Sequence, residues 1–408
     1  MKMEMAGDMK SLKVDRLSDI RKLYRGNVGS SRARFDIALD HGEGSCVFDV
    51  AGRRYLDLGA GLGACVLGHA HPEINDALLE QSRKLLRVSD LYFSKPQAQL
   101  AEALVRLVGP GRCFFYSGAA EANSGLLELA RNFGASADRM EILTTTATAG
   151  RSLSAGVEVP FNDLEAIRTA ITPRTAAIRI QAIQSDGAMI SASPGYLAGV
   201  RSLCRERELL LLVDESQAGH FRTGHFQGWQ RVLEDSDHSG FLPDAVSMAN
   251  ALGGGFPIGA CWVSEKYAGL LSSGTDVSTF GGDPLGCVVA LKVLEIIERD
   301  HLAENAREIG AFIVGELQRL IRKFPGVLKE VRGVGLMIGI EFRREAPGFA
   351  ASEKAAALQV VERLHAAAVL TIAAGDDVVR LLPPLNLTRA EAMEGLHAIE
   401  AVVAEIAK

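Results

Sequence analysis

The sequence predicts an α/β protein built around a mainly parallel β-sheet. From about Pro72 to Asp300, short apolar runs alternate with segments of helical periodicity, which is typical of repeated strand–helix units. The hydrophobic fraction of 48% and the charged fraction of 23% are ordinary for a soluble globular protein. The 408 residues are too many for one small core and indicate a large domain with a smaller one.

The strands and helices of the large domain follow from these runs, taken in chain order. Apolar runs bounded by turn residues predict buried strands at Cys113–Tyr116, Ile142–Thr145, Ala177–Gln181, Leu209–Val213, Ala245–Met248 and Gly259–Val263. Helical periodicity predicts helices at Ala120–Asn132, Leu164–Ile171 and Pro194–Glu208. Pro194 is placed to begin its helix, because proline is tolerated in the first turn.

The two ends of the chain are expected to form the smaller domain. Cys46–Leu58 has the pattern of a β-hairpin, and the tail alternates helices with short strands such as Leu336–Phe342 and Val378–Leu382. We therefore expect an N-terminal segment over residues 1–55, a large domain over 56–300 and a C-terminal α+β part over 301–408.

Charge and cysteine content argue against several classes of protein. A net charge of −6 and an isoelectric point near 5.9 provide no basic surface for nucleic acid or an anionic membrane. The six cysteines show no metal-binding spacing, so no metal site is expected. The charged N-terminus lacks the apolar core of a secretory signal, and no apolar run approaches membrane-spanning length. A cytoplasmic protein is expected.

The most informative motif is the segment Ser247–Ala260, which reads Ser-Met-Ala-Asn-Ala-Leu-Gly-Gly-Gly-Phe-Pro-Ile-Gly-Ala. It resembles the corresponding segment of class III pyridoxal-phosphate (PLP) aminotransferases, the acetylornithine and ornithine aminotransferase group. Similar strings at Tyr55–Leu58, Leu67–Pro72 and Arg380–Leu385 extend the resemblance over nearly the whole chain. It implies the PLP-dependent transferase fold type I, with a seven-stranded sheet in the large domain.

The resemblance places Asn250 where the family has the lysine that forms a Schiff base with the cofactor. An amide cannot form an imine with an aldehyde, and it cannot shuttle the substrate α-proton as an amine does. The usual reaction of the family is therefore in doubt.

Asp214 and Gln217 follow the predicted strand Leu209–Val213. Both match positions that hold the cofactor ring in the family. The resemblance implies that Asp214 faces the pyridine nitrogen and keeps it protonated, so that the ring can accept electrons. Gln217 would approach the ring hydroxyl. The alternative for Asp214 is a structural role at the end of its strand.

The resemblance also implies a site for the cofactor phosphate. Ser117, Gly118 and Ala119 lie between a strand and a helix, where free N–H groups and the helix dipole attract anions. An additional alanine before Glu121 is expected to alter this loop relative to the family. Thr279, in a Ser-Thr-Phe-Gly-Gly-Asp-Pro string, would reach the phosphate of the other subunit, which implies a homodimer. The glycines of that string also fit a purely structural turn.

Arg380 matches the family arginine that binds a substrate carboxylate through a bidentate fork. The alternative is a salt-bridged arginine within a strand. A small anionic or carboxylate ligand is therefore expected in the cleft.

Other positions depart from the family pattern. Thr148 replaces the aromatic residue that stacks on the pyridine ring, Ser216 replaces a valine on the opposite ring face, and Gln181 replaces a glutamate near the substrate arginine. The long active-site loop expected after Arg151 is absent, because the chain proceeds almost directly to Val159. Together with Asn250, these changes would lower cofactor affinity by several powers of ten.

Three hypotheses for function follow. The first is a pseudo-aminotransferase that binds a ligand or a partner, which could be a catalytic aminotransferase homologue. The second is an enzyme that uses noncovalently bound PLP or pyridoxamine phosphate (PMP). The third is a cofactor-free enzyme that reuses the cleft with His220, Asp214, Asp186 and Arg380, where His220 would be the acid–base group. A structural role is the alternative for His220.

Overall fold

A computed structural model describes residues 16–29, 34–89, 91–146, 156–185, 189–237, 240–271, 278–349 and 352–408 of the chain. Its strands are β1 Leu39–Glu43, β2 Cys46–Asp49, β3 Arg54–Asp57, β4 Gly111–Tyr116, β5 Glu141–Thr146, β6 Val157–Pro160, β7 Thr175–Ile180, β8 Ile183–Gln184, β9 Ile190–Ser191, β10 Leu210–Asp214, β11 Ala245–Met248, β12 Gly259–Ser264, β13 Leu328–Val334, β14 Met337–Phe342, β15 Val369–Leu370, β16 Ile372–Ala374 and β17 Val378–Leu381.

The α-helices connect these strands along the chain. They are α1 Leu17–Asn27, α2 Ala60–Gly63, α3 Pro72–Ser82, α4 Lys95–Val108, α5 Ala119–Gly134, α6 Leu164–Ala170, α7 Pro194–Glu206, α8 Gly228–Val232, α9 Pro284–Arg299, α10 Leu302–Lys323, α11 Ala356–Ala366 and α12 Arg389–Ile406. Pro194 does begin α7, and the Ser193 side chain caps it by accepting from the Tyr196 N–H.

The centre of the molecule is a seven-stranded sheet in the order β4-β12-β11-β10-β7-β5-β6. β10 is parallel to β7 and β11, and β5 is parallel to β7 and β6. β12 runs antiparallel to both of its neighbours, β11 and β4. The prediction of a mainly parallel sheet is confirmed, with one reversed strand that the apolar pattern did not reveal.

Helices cover both faces of this sheet, which explains the uninterrupted apolar strands. Leu126 and Leu129 of α5 pack against one face, whereas Leu100 and Leu104 of α4 and Ala290 of α9 pack against the other. Because every strand between β4 and β6 is sandwiched in this way, polar side chains within the strands are exceptional and mark the site described below.

Segments from the two ends of the chain share a second, four-stranded sheet in the order β1-β2-β3-β15. β15 pairs in parallel with β3, with Val369 opposite Leu56. A third sheet, β13-β14-β17-β16, holds Arg380 on β17. The pairing of β15 with β3 agrees with a smaller domain built from both ends, while the domain boundaries at residues 55 and 300 stay predictions. Within the described ranges, no helix is long and apolar enough to cross a membrane.

Candidate functional site

Asp214 lies at the carboxyl end of β10, at the sheet edge where ligands of parallel sheets bind. Its side chain is 5% exposed. The Oδ1 atom accepts hydrogen bonds from Ser216 N at 3.1 Å, Ser216 Oγ at 2.6 Å and Ser247 Oγ at 3.3 Å. The Oδ2 atom accepts from Arg179 Nη2 at 2.7 Å and Gln181 Nε2 at 3.3 Å. Asp214 is thus the centre of a buried polar network.

Arg179 provides the positive charge of this network. It lies on β7 opposite Leu212 of β10, so its side chain shares a sheet face with Asp214 two residues further on. The same Nη2 atom also donates to Asn123 Oδ1 at 3.0 Å. Burial by itself would raise the pKa of Asp214, but the Arg179 guanidinium and hydrogen bonds from Ser216 and Gln181 outweigh it and lower that pKa. Asp214 is therefore an anion neutralised by the chain itself.

Asn250 follows β11 at the same edge of the sheet, in a left-handed backbone conformation with φ of 51°. Asparagine is among the residues that adopt this conformation most readily. Its Nδ2 atom donates to Ser216 O at 2.9 Å. Since Ser216 in turn donates to Asp214, the structure brings Asn250 and Asp214 into one hydrogen-bonded network.

The loop before α5 has the position expected of an anion site, but an acidic side chain already contacts it. Gly118 is the residue that caps α5, and Ser117 N donates to Glu121 Oε2 at 3.0 Å. Ser278 Oγ donates to the same oxygen at 2.6 Å. These hydrogen bonds lower the pKa of Glu121, so a negative charge occupies the donors of the loop. Ala119 is the first residue of α5.

Thr279 is exposed and lies beside the loop that follows α3. Arg87 Nε donates to Thr279 O at 2.7 Å, and the Arg87 guanidinium lies 5.4 Å from the centre of the Phe280 ring. Asp283 caps α9 by accepting from Gly286 N at 2.9 Å. The exposure of Thr279 leaves it accessible to a second subunit.

Gln217 and Arg380 are held by backbone oxygens. Gln217 Nε2 donates to Leu62 O at 2.8 Å. Arg380 is 9% exposed, and its Nη1 donates to Ser185 O at 3.2 Å. Ser185 N donates to Gln181 Oε1 at 3.4 Å, and Gln181 reaches Asp214. A chain of hydrogen bonds therefore connects Arg380 to Asp214.

His220 has features that favour a structural role over the acid–base role. It is 1% exposed, and its ring packs edge-on against Phe226 at 5.5 Å. Neither ring nitrogen has a hydrogen-bond partner among the described residues. Burial, with a smaller effect of Arg222, lowers the pKa of His220 to about 3. A neutral ring sealed in the core cannot deliver a proton to a ligand at neutral pH.

Two residues of the functional hypotheses, Thr148 and Asp186, lie outside the described residues, as does the segment around Arg151 where the family loop is missing. Among the residues that are described, no cluster of three or more His, Cys, Asp or Glu side chains could hold a metal ion. A cavity of about 1210 Å³ lies beneath α1, but neither Asp214 nor Asn250 lines it.

Sequence reasoning missed Arg179, which the structure places at the centre of the site. The signal was present, because Arg179 is a charged residue in the middle of a strand predicted to be buried. Buried charges are paired, so the arginine implied an acidic partner on a neighbouring strand. Ser247 and Asn123 were missed as well, since their roles depend on which strands and helices lie side by side.

This chain belongs to the class III aminotransferase family. The family model matches residues 28–155 and 151–403. The acetylornithine aminotransferase of Gloeobacter violaceus is 36% identical over 95% of this chain and 98% of its own length. That of Methanocaldococcus jannaschii is 35% identical over 96% of this chain and 98% of its own length. The resemblance inferred from the sequence motifs is thereby confirmed.

Solved structures of the family have the same fold. N-acetylornithine aminotransferase from Stenotrophomonas maltophilia is 33% identical with a TM-score of 0.81, covering 94% of this chain and 98% of that one. Ornithine aminotransferase from Toxoplasma gondii is 26% identical with a TM-score of 0.87, covering 97% and 96%. In that crystal, grown with oxidised glutathione, PLP partially occupies the active site. The fold is the PLP-dependent transferase fold that the motifs predicted.

Proposed function

We propose that this class III family member does not transaminate and instead works as a homodimeric binding protein, a pseudo-aminotransferase that takes a small carboxylate ligand in its cleft. The observation that supports this most strongly is Asn250, at the position where the resemblance puts the reactive lysine. Its amide nitrogen is not nucleophilic, because its lone pair is delocalised into the carbonyl group. It already donates to Ser216 O at 2.9 Å.

Neither Lys95 nor Lys266 is placed to replace the missing amine. The chain has no lysine between Lys95 and Lys266. Lys266 follows the carboxyl end of β12, and because β12 is antiparallel to β11, that end lies at the opposite edge of the sheet from Asn250. Its ammonium group lies 4.7 Å from the centre of the Tyr267 ring. Lys95 is exposed at the start of α4. Both fit surface roles.

The residues present do not fit PLP as a tightly held coenzyme. Asp214, which would face the pyridine nitrogen, is paired with Arg179 at 2.7 Å. Ser117 N, which would face the phosphate, is bonded to the Glu121 carboxylate. Each end of the cofactor would meet a group of its own charge, and burying like charges together is unfavourable.

A carboxylate ligand is supported by the family resemblance at Arg380. Arg380 is almost fully buried and is connected through Ser185 to Gln181, which stands where the family has a glutamate, so a negative charge is removed from its vicinity. A guanidinium in a site of low dielectric constant binds a carboxylate through charge-assisted hydrogen bonds. What the protein does with such a ligand, alone or beside a catalytic homologue, is the part that needs experiment.

Binding measurements on the purified chain test the proposal. The native protein is dialysed against PLP and against PMP, and retained cofactor is read by its near-ultraviolet absorbance. We expect none to be retained. Succinate and acetylornithine are then tested by thermal shift, where we expect Tm to rise. The rise should be lost in Arg380→Met and kept in Arg344→Met, a control at an arginine that is 61% exposed.

The outcomes separate the three hypotheses. Retention of PMP or PLP without a covalent bond would favour the enzyme with a noncovalent cofactor. A reducible covalent bond to PLP within the cleft would contradict the proposal outright. Chemical conversion of a carboxylate without any cofactor would favour the cofactor-free enzyme. Co-purification with an active aminotransferase subunit would support the partner version of the proposal.

A further inference from the structure

The most unusual feature of the cleft is that the hydrogen-bond acceptor sites of the Asp214 carboxylate are all used by the chain. A carboxylate offers about four lone-pair sites. Asp214 accepts four hydrogen bonds from the chain, two on Oδ1 from Ser216 N and Ser216 Oγ and two on Oδ2 from Arg179 and Gln181. The single proton of the Ser247 hydroxyl is shared between Asp214 Oδ1 and Asn123 Oδ1. No acceptor capacity is left for an N–H group from a ligand.

The negative charge of Asp214 is balanced by the positive charge of Arg179. Arg179 Nη2 lies 2.7 Å from Asp214 Oδ2, and the two side chains are 16% and 5% exposed. Arg179 is anchored from the other side by Asn123, which also accepts from Ser247 at 3.2 Å. The guanidinium is therefore held between β7, β10 and α5, and moving it away would remove a donor from Asn123 and leave the buried Asp214 carboxylate without its counter-charge.

We infer that Arg179 is a built-in counter-ion that replaces the pyridinium group at Asp214 and closes the ring position of the cleft to any cationic heterocycle. A protonated pyridine would have to displace Arg179 or lie beside it as a second buried cation, and both are unfavourable. A neutral pyridine would find no free acceptor. The cleft therefore selects ligands that are neutral or anionic at this end.

This inference goes beyond the missing amine, since it describes a second barrier that would persist if the amine were restored. It rests on the proposed function only in taking Asn250 as the position of that amine. The two barriers can be removed separately, because Asn250 contacts Ser216 and Arg179 contacts Asp214 directly.

Variants that restore the amine with and without Arg179 test the inference. Asn250→Lys, Asn250→Lys/Arg179→Met and Asn250→Lys/Arg179→Lys are titrated with PLP, reduced with borohydride and mapped for a phosphopyridoxyl group on residue 250. We expect the methionine double variant to bind PLP about 10- to 100-fold more tightly than the single variant, the value of one charge-assisted hydrogen bond. The lysine double variant, which keeps a cation, should resemble the single variant.

A second buried pair provides the matched control. Arg201 Nη1 lies 2.8 Å from Asp244 Oδ2, with side chains 9% and 14% exposed, away from Asp214. Asn250→Lys/Arg201→Met loses a comparable ion pair and should gain no PLP affinity. If Arg179→Met does not fold, Arg179→Gln keeps a neutral donor for Asp214. Asn250→Lys/Arg179→Gln should bind PLP more tightly than Asn250→Lys. Its gain in affinity should be smaller than the gain given above for Asn250→Lys/Arg179→Met.

Three results would overturn the inference. The first is PLP binding by Asn250→Lys alone as tight as by its Arg179→Met derivative. The second is a folded double variant that still takes no PLP. The third is an equal gain in the Arg201→Met control, which would indicate general loosening. None of these bears on the native chain, whereas covalent PLP on the native chain would refute the proposed function instead.

Discussion

At the scale of single residues, the polar groups of the site are hydrogen-bonded to one another. Asn250, Ser216, Asp214 and Arg179 are linked by consecutive hydrogen bonds, so each of these four residues already has a partner in the chain. Buried polar networks of this kind stabilise a fold when every member is satisfied. The network therefore has a structural value that an open coenzyme site would lack.

Substitution of Asn250 measures how much this residue contributes to the free energy of unfolding. Asn250→Ala loses the hydrogen bond to Ser216 O, about 1 kcal/mol, and places alanine at φ of 51°, which costs roughly 1–2 kcal/mol more. Asn250→Gly loses only the hydrogen bond, because glycine tolerates this conformation. Denaturant unfolding should rank the native chain above the glycine variant and the glycine variant above alanine. Equal stabilities would show that Asn250 is not part of a structural network.

A double-mutant cycle measures the Arg179–Asp214 pair. Removing one partner of a buried ion pair leaves an uncompensated charge and costs about 3–5 kcal/mol. We expect Arg179→Met and Asp214→Ala each to destabilise the chain by that amount, and the double variant to be much less destabilised than their sum. Urea unfolding provides the free energies of unfolding. Additive effects would mean that the two side chains do not interact in solution.

At the scale of secondary-structure elements, the strands of the large sheet were predictable because they are buried on both faces. The predicted Ala245–Met248 coincides with β11, and the predicted Gly259–Val263 differs from β12 by one residue. Strand direction was not predictable, because apolar composition is the same for parallel and antiparallel pairing in a covered sheet. β12 is accordingly the one strand of this sheet whose antiparallel direction came only from the structure.

Local sequence patterns do not encode how strands pair, and this explains which site residues could be found from the sequence. Asp214 and Asn250 directly follow apolar runs, so their place at a sheet edge could be inferred from sequence. The pairing of Arg179 with Asp214 depends on the register of β7 and β10, which no local pattern encodes. His220 shows a related limit, since a histidine among Gly and Phe does not reveal that its ring lies in the core.

The loop between β3 and α3 is tied down by an ion pair with a testable pH dependence. His69 Nε2 lies 2.9 Å from Asp57 Oδ2, and the hydrogen bond to Asp57, with a smaller one to the Cys65 thiol, raises the pKa of His69 from 6.5 to about 9. The folded chain keeps this proton to higher pH than the unfolded chain. The stabilisation is therefore complete below pH 6.5 and lost as the pH rises through about 9.

We expect the free energy of unfolding to fall by on the order of 1–3 kcal/mol between those limits. His69→Gln should flatten the dependence. The control is His41→Gln, because His41 contacts Asp40 at the same distance of 2.9 Å but both side chains are more than 60% exposed. A slope that survives in His69→Gln, or disappears in His41→Gln, would assign the pH dependence to other groups. Urea unfolding over this pH range makes the measurement.

At the scale of the whole molecule, one apolar surface stands out. Leu91, Tyr92 and Phe93 are 84%, 67% and 109% exposed, and Phe280 is 61% exposed. Arg87 joins the two segments by bonding to Thr279 O and lying over the Phe280 ring. Contiguous exposed apolar side chains of this kind mark an interface. Their position beside Thr279, which the family resemblance assigns to a neighbouring subunit's site, supports the proposed homodimer.

Light scattering coupled to size exclusion tests this interface. The native chain should elute as a dimer, and Phe93→Asp should shift it toward the monomer, because a carboxylate cannot be buried there without a partner. Met140→Asp is the control, since Met140 is 46% exposed and lies outside these two segments. A native monomer, or a dimer that survives Phe93→Asp while yielding to Met140→Asp, would place the interface elsewhere.

The measurement that bears most directly on the central claim is amino-group transfer by the purified native chain. The protein is supplied with PLP, an amino donor such as acetylornithine and a keto acid acceptor, and product is compared with that of a protein-free control. Because Asn250 cannot provide the amine that the reaction needs, we predict no transfer above the control. Sustained transfer that Asp214→Ala abolishes would contradict the account, since it would require a reactive amine in this cleft.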